Sequence, residues 1–179
     1  MKKLNVILLT MMVCVLNATS IFGQSESKKN KIIADASTSK AEFIKADPLM
    51  KSIFTNAYGY VIFPNVGKGG VGVGGAAGNG AVYEKGQLIG MAKLSQLSIG
   101  LQAGGQAYRE VIFFESKAAM DRFKGSKFEF SAQVSAVAAK AGASGNAKYT
   151  DGVMVFTMQK GGLMYEASVG GQKFTFHKL

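Results

Sequence analysis

The chain has 179 residues, 47% apolar and 18% charged, with 21 Lys+Arg against 11 Asp+Glu. That is the length and composition of one packed domain, and it excludes a wholly disordered chain. Twenty-three glycines beside two prolines, with no three-residue period, exclude collagen. One His, one Cys and no Trp leave little material for zinc or thiol chemistry.

Residues 1–23 read as a cleavable signal peptide: Lys2 and Lys3, an apolar run from Leu4 to Leu16, then small and polar residues with a cut near Gly23/Gln24. Asn17, Thr19 and Ser20 end the apolar run short of the roughly 20 residues a spanning helix needs. Lipoprotein attachment at Cys14 is disfavoured, because Val13 stands before it and Cys14 lies inside the apolar run. Cleavage would leave a chain without cysteine, hence without disulfides. Removing Lys2 and Lys3 from the 21 basic residues leaves 19 against 11 acidic ones, a net charge of +8. An exported basic protein does not meet nucleic acid as its routine partner. Anionic lipid, lipopolysaccharide or cell-wall polymer suit it better, against the plain alternative that excess lysine serves solubility. The expected location is the periplasm, the outer-membrane surface or the medium.

Residues 24–46 form a basic amphipathic helical segment. Ile32, Ile33, Ala36, Phe43 and Ile44 fall on one side, and Lys28, Lys29, Lys31, Lys40 and Lys45 mostly on the other. Such a helix either closes one face of a sheet or lies in an anionic membrane surface. Residues 47–179 form the glycine-rich β-domain. Asp47-Pro48 starts a second, shorter helix with Leu49, Met50, Ile53, Phe54 and Ala57 as its apolar stripe, stopped at Gly59. The period then changes to two. Tyr60–Phe63 is a strand ended by Pro64, and Val71 and Val73 alternate with glycine. Leu88–Leu94 and Leu97–Ala103 resemble a strand pair, and Val111–Phe114 is a further strand. A short helix follows, capped by Ser116 and stopped at Gly125. Alternation returns at Phe128, Phe130, Ala132, Val134 and Ala136, then in 152–158, 162–167 and 173–176. The short connections predict a mainly antiparallel sheet.

Two blocks repeat at an offset of 66 residues: Tyr83-Glu-Lys-Gly86 with Tyr149-Thr-Asp-Gly152, and Ala103-Gly-Gly-Gln-Ala-Tyr108 with Val169-Gly-Gly-Gln-Lys-Phe174. They suggest a duplicated β-unit, with Gly-Gly-Gln marking a sharp bend or bulge. The fold expected is therefore α+β: N-terminal helices, then a mostly antiparallel, internally duplicated β-sandwich or barrel with one inserted short helix.

Catalytic motifs fail on inspection. In Gly67–Gly80 the pair Gly67-Lys68 is followed by Gly69, where a nucleotide loop needs Ser or Thr, and no helix follows. His177 lacks companion ligands, and Ser95, Ser98, Ser131 and Ser135 lack a base. Glu110, Glu129 and Glu166 have no supporting residues for glycoside hydrolysis. The expectation is a protein without cofactor, metal or catalytic residue.

Several ordered blocks do carry a likeness. Ala57-Tyr-Gly-Tyr-Val-Ile-Phe-Pro-Asn-Val-Gly-Lys-Gly-Gly70, Val73-Gly-Gly75, Gly78-Asn-Gly-Ala-Val82, Ser98–Gln106 and Lys160–Gly171 together resemble the SYLF lipid-binding domain family, from about Asp47 to Lys173. Ala141–Asn146 departs from the Gly-Pro-x-Gly-Arg often found in eukaryotic members. The resemblance implies non-enzymatic binding of phosphoinositides or other acidic phospholipids by peripheral membrane association, here as a stand-alone exported bacterial type. On it, with the charge, Lys28, Lys29, Lys31 and Lys68 are assigned to headgroups and Ile32, Ile33, Phe43 and Ile44 to apolar contact. The alternative is a structural outer-membrane or envelope component with a glycine-rich β-barrel. The sequence leaves oligomeric state open.

Overall fold

The computed structural model describes residues 26–100, 106–125, 128–131, 134–160 and 169–179. A helix, α1, runs through 26–46, and α2 follows as Met50–Asn56. The strands are β1 (Gly59–Glu84), β2 (Gln87–Gly100), β3 (Gln106–Phe114), β4 (Phe128–Glu129), β5 (Ala136–Ala138), β6 (Val153–Gln159) and β7 (Lys173–Lys178). Helix α3 (Lys117–Lys124) is inserted after β3, with the Ser116 hydroxyl accepting from the Ala119 N–H at its start.

The seven strands of the described residues join one sheet in the order β4-β7-β2-β1-β3-β6-β5, so the architecture is α+β. It is a single curled sheet and not two facing sheets. Every pairing is antiparallel except β5 with β6, which is parallel, so the sheet is mixed. β1 is long because it folds back on itself. Its arm 59–68 pairs with β3 and its arm 72–84 with β2. The arms also lie side by side: a Cβ on Gly59 would stand 2.8 Å from the Tyr83 carbonyl, and one on Gly80 2.7 Å from that of Ile62. Tyr60 stacks on Tyr83 with ring centroids 4.9 Å apart. Gly59, Gly78 and Gly80 are therefore where the two arms approach too closely for a side chain.

Pro64 does not end the strand. It falls at the register shift between Phe63 and Val66, a bulge where the missing N–H leaves no ladder bond unmade. Nor does the chain break near Ser95. β2 runs on because Ala92, Leu94 and Gln96 stay inward while Lys93, Ser95 and Leu97 stay outward, polar residues occupying both faces. The expected strand through Phe128–Ala136 is two short pieces, β4 and β5. Residues 162–167, 132 and 101–103 lie outside the described residues.

The alternation of β1, β3 and β6 divides the apolar residues between two cores. Inside the curl, Val61, Phe63, Val66, Ile112, Phe114 and Val155 pack with Met120 and Phe123 of α3 and Phe174 of β7. On the outer face, Tyr60, Ile62, Val111, Phe113 and Phe156 are covered by Ala36 and Phe43 of α1 and Met50 and Phe54 of α2. Lys40 is not on a solvated face. Its ammonium donates to the Tyr60 hydroxyl at 3.1 Å and stands 4.9 Å from the Phe54 ring centre. The turn between α1 and α2 is pinned by Asp47, whose carboxylate accepts from the Ser144 N–H (2.8 Å) and the Leu49 N–H (3.2 Å).

Of the two repeated blocks, Tyr83–Gly86 and Tyr149–Gly152 share a turn, while residues 103–105 of the other lie outside the described residues. Lys85 and Gly86 have φ of 50° and 78°, and Asp151 and Gly152 have 53° and 74°, the paired positive φ of a tight turn. The likeness is local. β2 and β3 flank β1, and β6 and β7 lie outside them, so the strand order nests instead of dividing into halves.

Candidate functional site

The first turns of α1 cross the outer face of the sheet and leave a cleft of about 330 Å³ against β1, β2 and β7. The strands supply Asn79, Met91, Ala92, Lys93 and His177, and the helix supplies Lys28, Lys29 and Ile32. Register explains the gathering: Asn79 is opposite Lys93, and Met91 is opposite His177. Residues facing one another across antiparallel strands project on the same face, so these line up beneath the helix.

The cleft combines an apolar floor with a basic rim. Ile32 and Met91 form the floor, both half-buried. Lys28 and Lys93 are exposed and make no ion pair among the described residues, whereas Lys29 pairs with Glu26 at 3.2 Å. Two cations without partners, a third partly neutralised and an imidazole converge on a space large enough for a phosphate-bearing headgroup. Chemically the arrangement can attract an anion and seat the apolar atoms attached to it.

The assigned lipid-binding residues do not all meet here. Lys28, Lys29 and Ile32 do. Lys31 is turned away and pairs with Asp35 at 3.2 Å. Lys68 lies on the other arm of β1, opposite Gln106 of β3. Ile33 and Ile44 pack against the outer core, and Phe43 is wholly inside it, so in this conformation these three hold α1 down. Asn79, Met91, Lys93 and His177 line the cleft although the sequence assigns none of them to lipid. Period-two alternation of β2 signals that Met91 and Lys93 share a face, but nothing local places β7 or α1 beside it.

Residues 95–178 match the family model described as Ysc84, Las17-binding protein actin regulator. Over 150 residues, 80% of this chain, the sequence is 31% identical to beta cell expansion factor A of Aeromonas veronii. The match takes in 55% of that protein, so the chain spans about half the length of the curated relative it matches.

Proposed function

Because the chain belongs to the SYLF (Ysc84) family and carries its lipid-binding domain, we propose that it holds anionic phospholipid at a membrane surface through the outer-face cleft. In this reading it is an exported, non-enzymatic protein that associates peripherally. The carrying observation is the convergence of Lys28, Lys29, Lys93 and His177 above Ile32 and Met91. Headgroup phosphate would sit among the cations and the first methylenes of the acyl region against the floor. Each lysine near an anionic bilayer contributes about 1 kcal/mol, and the net charge of +8 left after removal of residues 1–23 adds long-range attraction.

The barrel-component reading is less well supported. A spanning barrel needs an outward apolar band in contact with lipid, whereas the outward residues Tyr60, Phe113 and Phe156 are covered by α1 and α2. Among the described residues the exposed large apolar side chains are Leu49, Leu97 and Leu179, which form no band.

Vesicle flotation tests the proposal. Binding to phosphatidylglycerol-containing vesicles should exceed binding to pure phosphatidylcholine vesicles and fall between 50 and 500 mM salt, as screening shortens the reach of the charges. Equal recovery on both vesicle types would refute it.

A further inference from the structure

The interior of the curled sheet is apolar at one end and polar at the other. Tyr108 and Glu110 of β3 face Gln159 and Thr157 of β6 across the ladder, and Gln172, just before β7, reaches the same place. Glu110, Thr157 and Gln172 are each 0% exposed. The Gln172 amide group donates to Glu110 Oε2 at 3.0 Å and to the Tyr108 hydroxyl at 3.4 Å. That commits both Gln172 N–H groups and fixes which way its amide points. What remains is oxygen. Glu110 Oε1, Thr157 Oγ1, Gln172 Oε1 and Gln159 Oε1 have no hydrogen-bond partner.

Four oxygens without partners in one buried cluster are not a packing accident, because each costs on the order of 1–3 kcal/mol when left unsatisfied. A partner able to donate several hydrogen bonds would satisfy them. It must also be able to take the place of the proton on a carboxyl that meets no Lys, Arg or His among the described residues. A hydroxyl-bearing group meets the first demand only. An –NH3⁺ group meets both: it offers three donors, no acceptor and one positive charge. We propose that the interior of the sheet is a second binding site, for a primary ammonium group, with Glu110 as its counter-ion and Thr157, Gln172 and Gln159 as acceptors. The ammonium belongs either to an aminophospholipid head or to a free small amine. This site is separate from the outer cleft and has the opposite polarity.

Burial pushes the Glu110 carboxyl up to about 8, the Gln172 hydrogen bond only partly opposing it. Without a cation beside it, Glu110 is therefore mostly protonated at neutral pH. An arriving ammonium displaces that proton to the buffer, leaving a carboxylate–ammonium pair.

The test is calorimetric titration of the full chain at pH 7 with three probes. Dihexanoyl phosphatidylethanolamine carries the ammonium on a lipid, and ethanolamine carries it free. Dihexanoyl phosphatidylcholine keeps chains and phosphate but has no N–H. Phosphatidylethanolamine and phosphatidylcholine carry the same phosphate and chains, so any binding at the outer cleft contributes alike to both and cancels in the preference. At least tenfold preference for phosphatidylethanolamine over phosphatidylcholine is expected, with about one proton released, seen as heat that varies with buffer. Binding of ethanolamine alone would assign a free amine, and binding of the lipid only would assign the headgroup. E110Q and T157V, checked for folding by thermal melting, should each lose the preference, and E110Q also the proton release. Equal affinity for the two lipids with no ethanolamine binding, or an E110Q variant that folds and keeps the preference, would overturn the proposal.

Discussion

Gln172 donates an N–H to Glu110 Oε2 at 3.0 Å inside the curled sheet, so a residue of a repeated Gly-Gly-Gln block supports a fully buried carboxyl three strands away in the order. The one other titratable group against it among the described residues is Tyr108, which burial raises further above its ordinary range. Folding lifts the Glu110 carboxyl from 4.5 to about 8. The folded state then keeps a proton that the unfolded state has released between those values, so stability falls as pH rises through that window. The loss is on the order of 1 kcal/mol per pH unit. Urea melts from pH 4.5 to 9 should show it, and E110Q should flatten the curve and be the more stable protein at pH 9.

The Asp47 carboxyl behaves in the opposite sense. Burial raises it, but the bonds from Ser144 and from the Leu49 N–H outweigh that and hold it below the ordinary carboxylate range. Its contribution is present above the unfolded value and lost as the solution is acidified through the folded one. D47A should leave the Ser144 N–H unpaired and cost about 1–3 kcal/mol, measured as a lower denaturation midpoint at pH 7.

Two neighbours in sequence assignment should part in experiment. Phe43 is wholly buried between α1 and the sheet, so F43A should cost about 3–5 kcal/mol of stability. Ile32 is half-buried in the cleft floor, so I32S should leave the melting temperature within a few degrees while weakening vesicle binding several-fold. Thermal melts and flotation on the same samples separate the two roles.

Gly80 tests the fold-back of β1. A Cβ there would stand 2.7 Å from the Ile62 carbonyl oxygen and 2.7 Å from Phe63 Cδ1. G80A should therefore destabilise by about 1–3 kcal/mol, the usual cost of overpacking. Gly67 has open space at its Cβ, so G67A should change the melting temperature little.

What could be read from the sequence was what local spacing encodes. The 3.6-residue stripe of Ile33, Ala36 and Phe43 is the surface α1 buries, and the period-two runs of β3 and β6 are strands. Ser116 and Gly125 bound α3 as their chemistry dictates. Pairing between distant segments was not legible. Val71 and Val73 announce a strand, but no local feature says that β1 doubles back or that β7 adds beside β2. The cleft depends on that pairing, which is why the pattern of α1 points to Lys28 and Ile32 while nothing local points to Lys93 and His177. Glu110 alternates like its apolar neighbours and gives no sign of its buried partners until Gln172 is placed.

The claim on which the rest stands is that location, and not total charge, directs the protein to anionic lipid. K28E/K29E/K93E and the control K45E/K51E/K140E change net charge equally, the control residues being exposed lysines outside the cleft. Compared by flotation on phosphatidylglycerol vesicles at 150 mM salt, the cleft variant should lose at least 90% of its binding and the control should keep more than half. Equal losses in the two variants would contradict the account and leave only diffuse attraction of a basic chain.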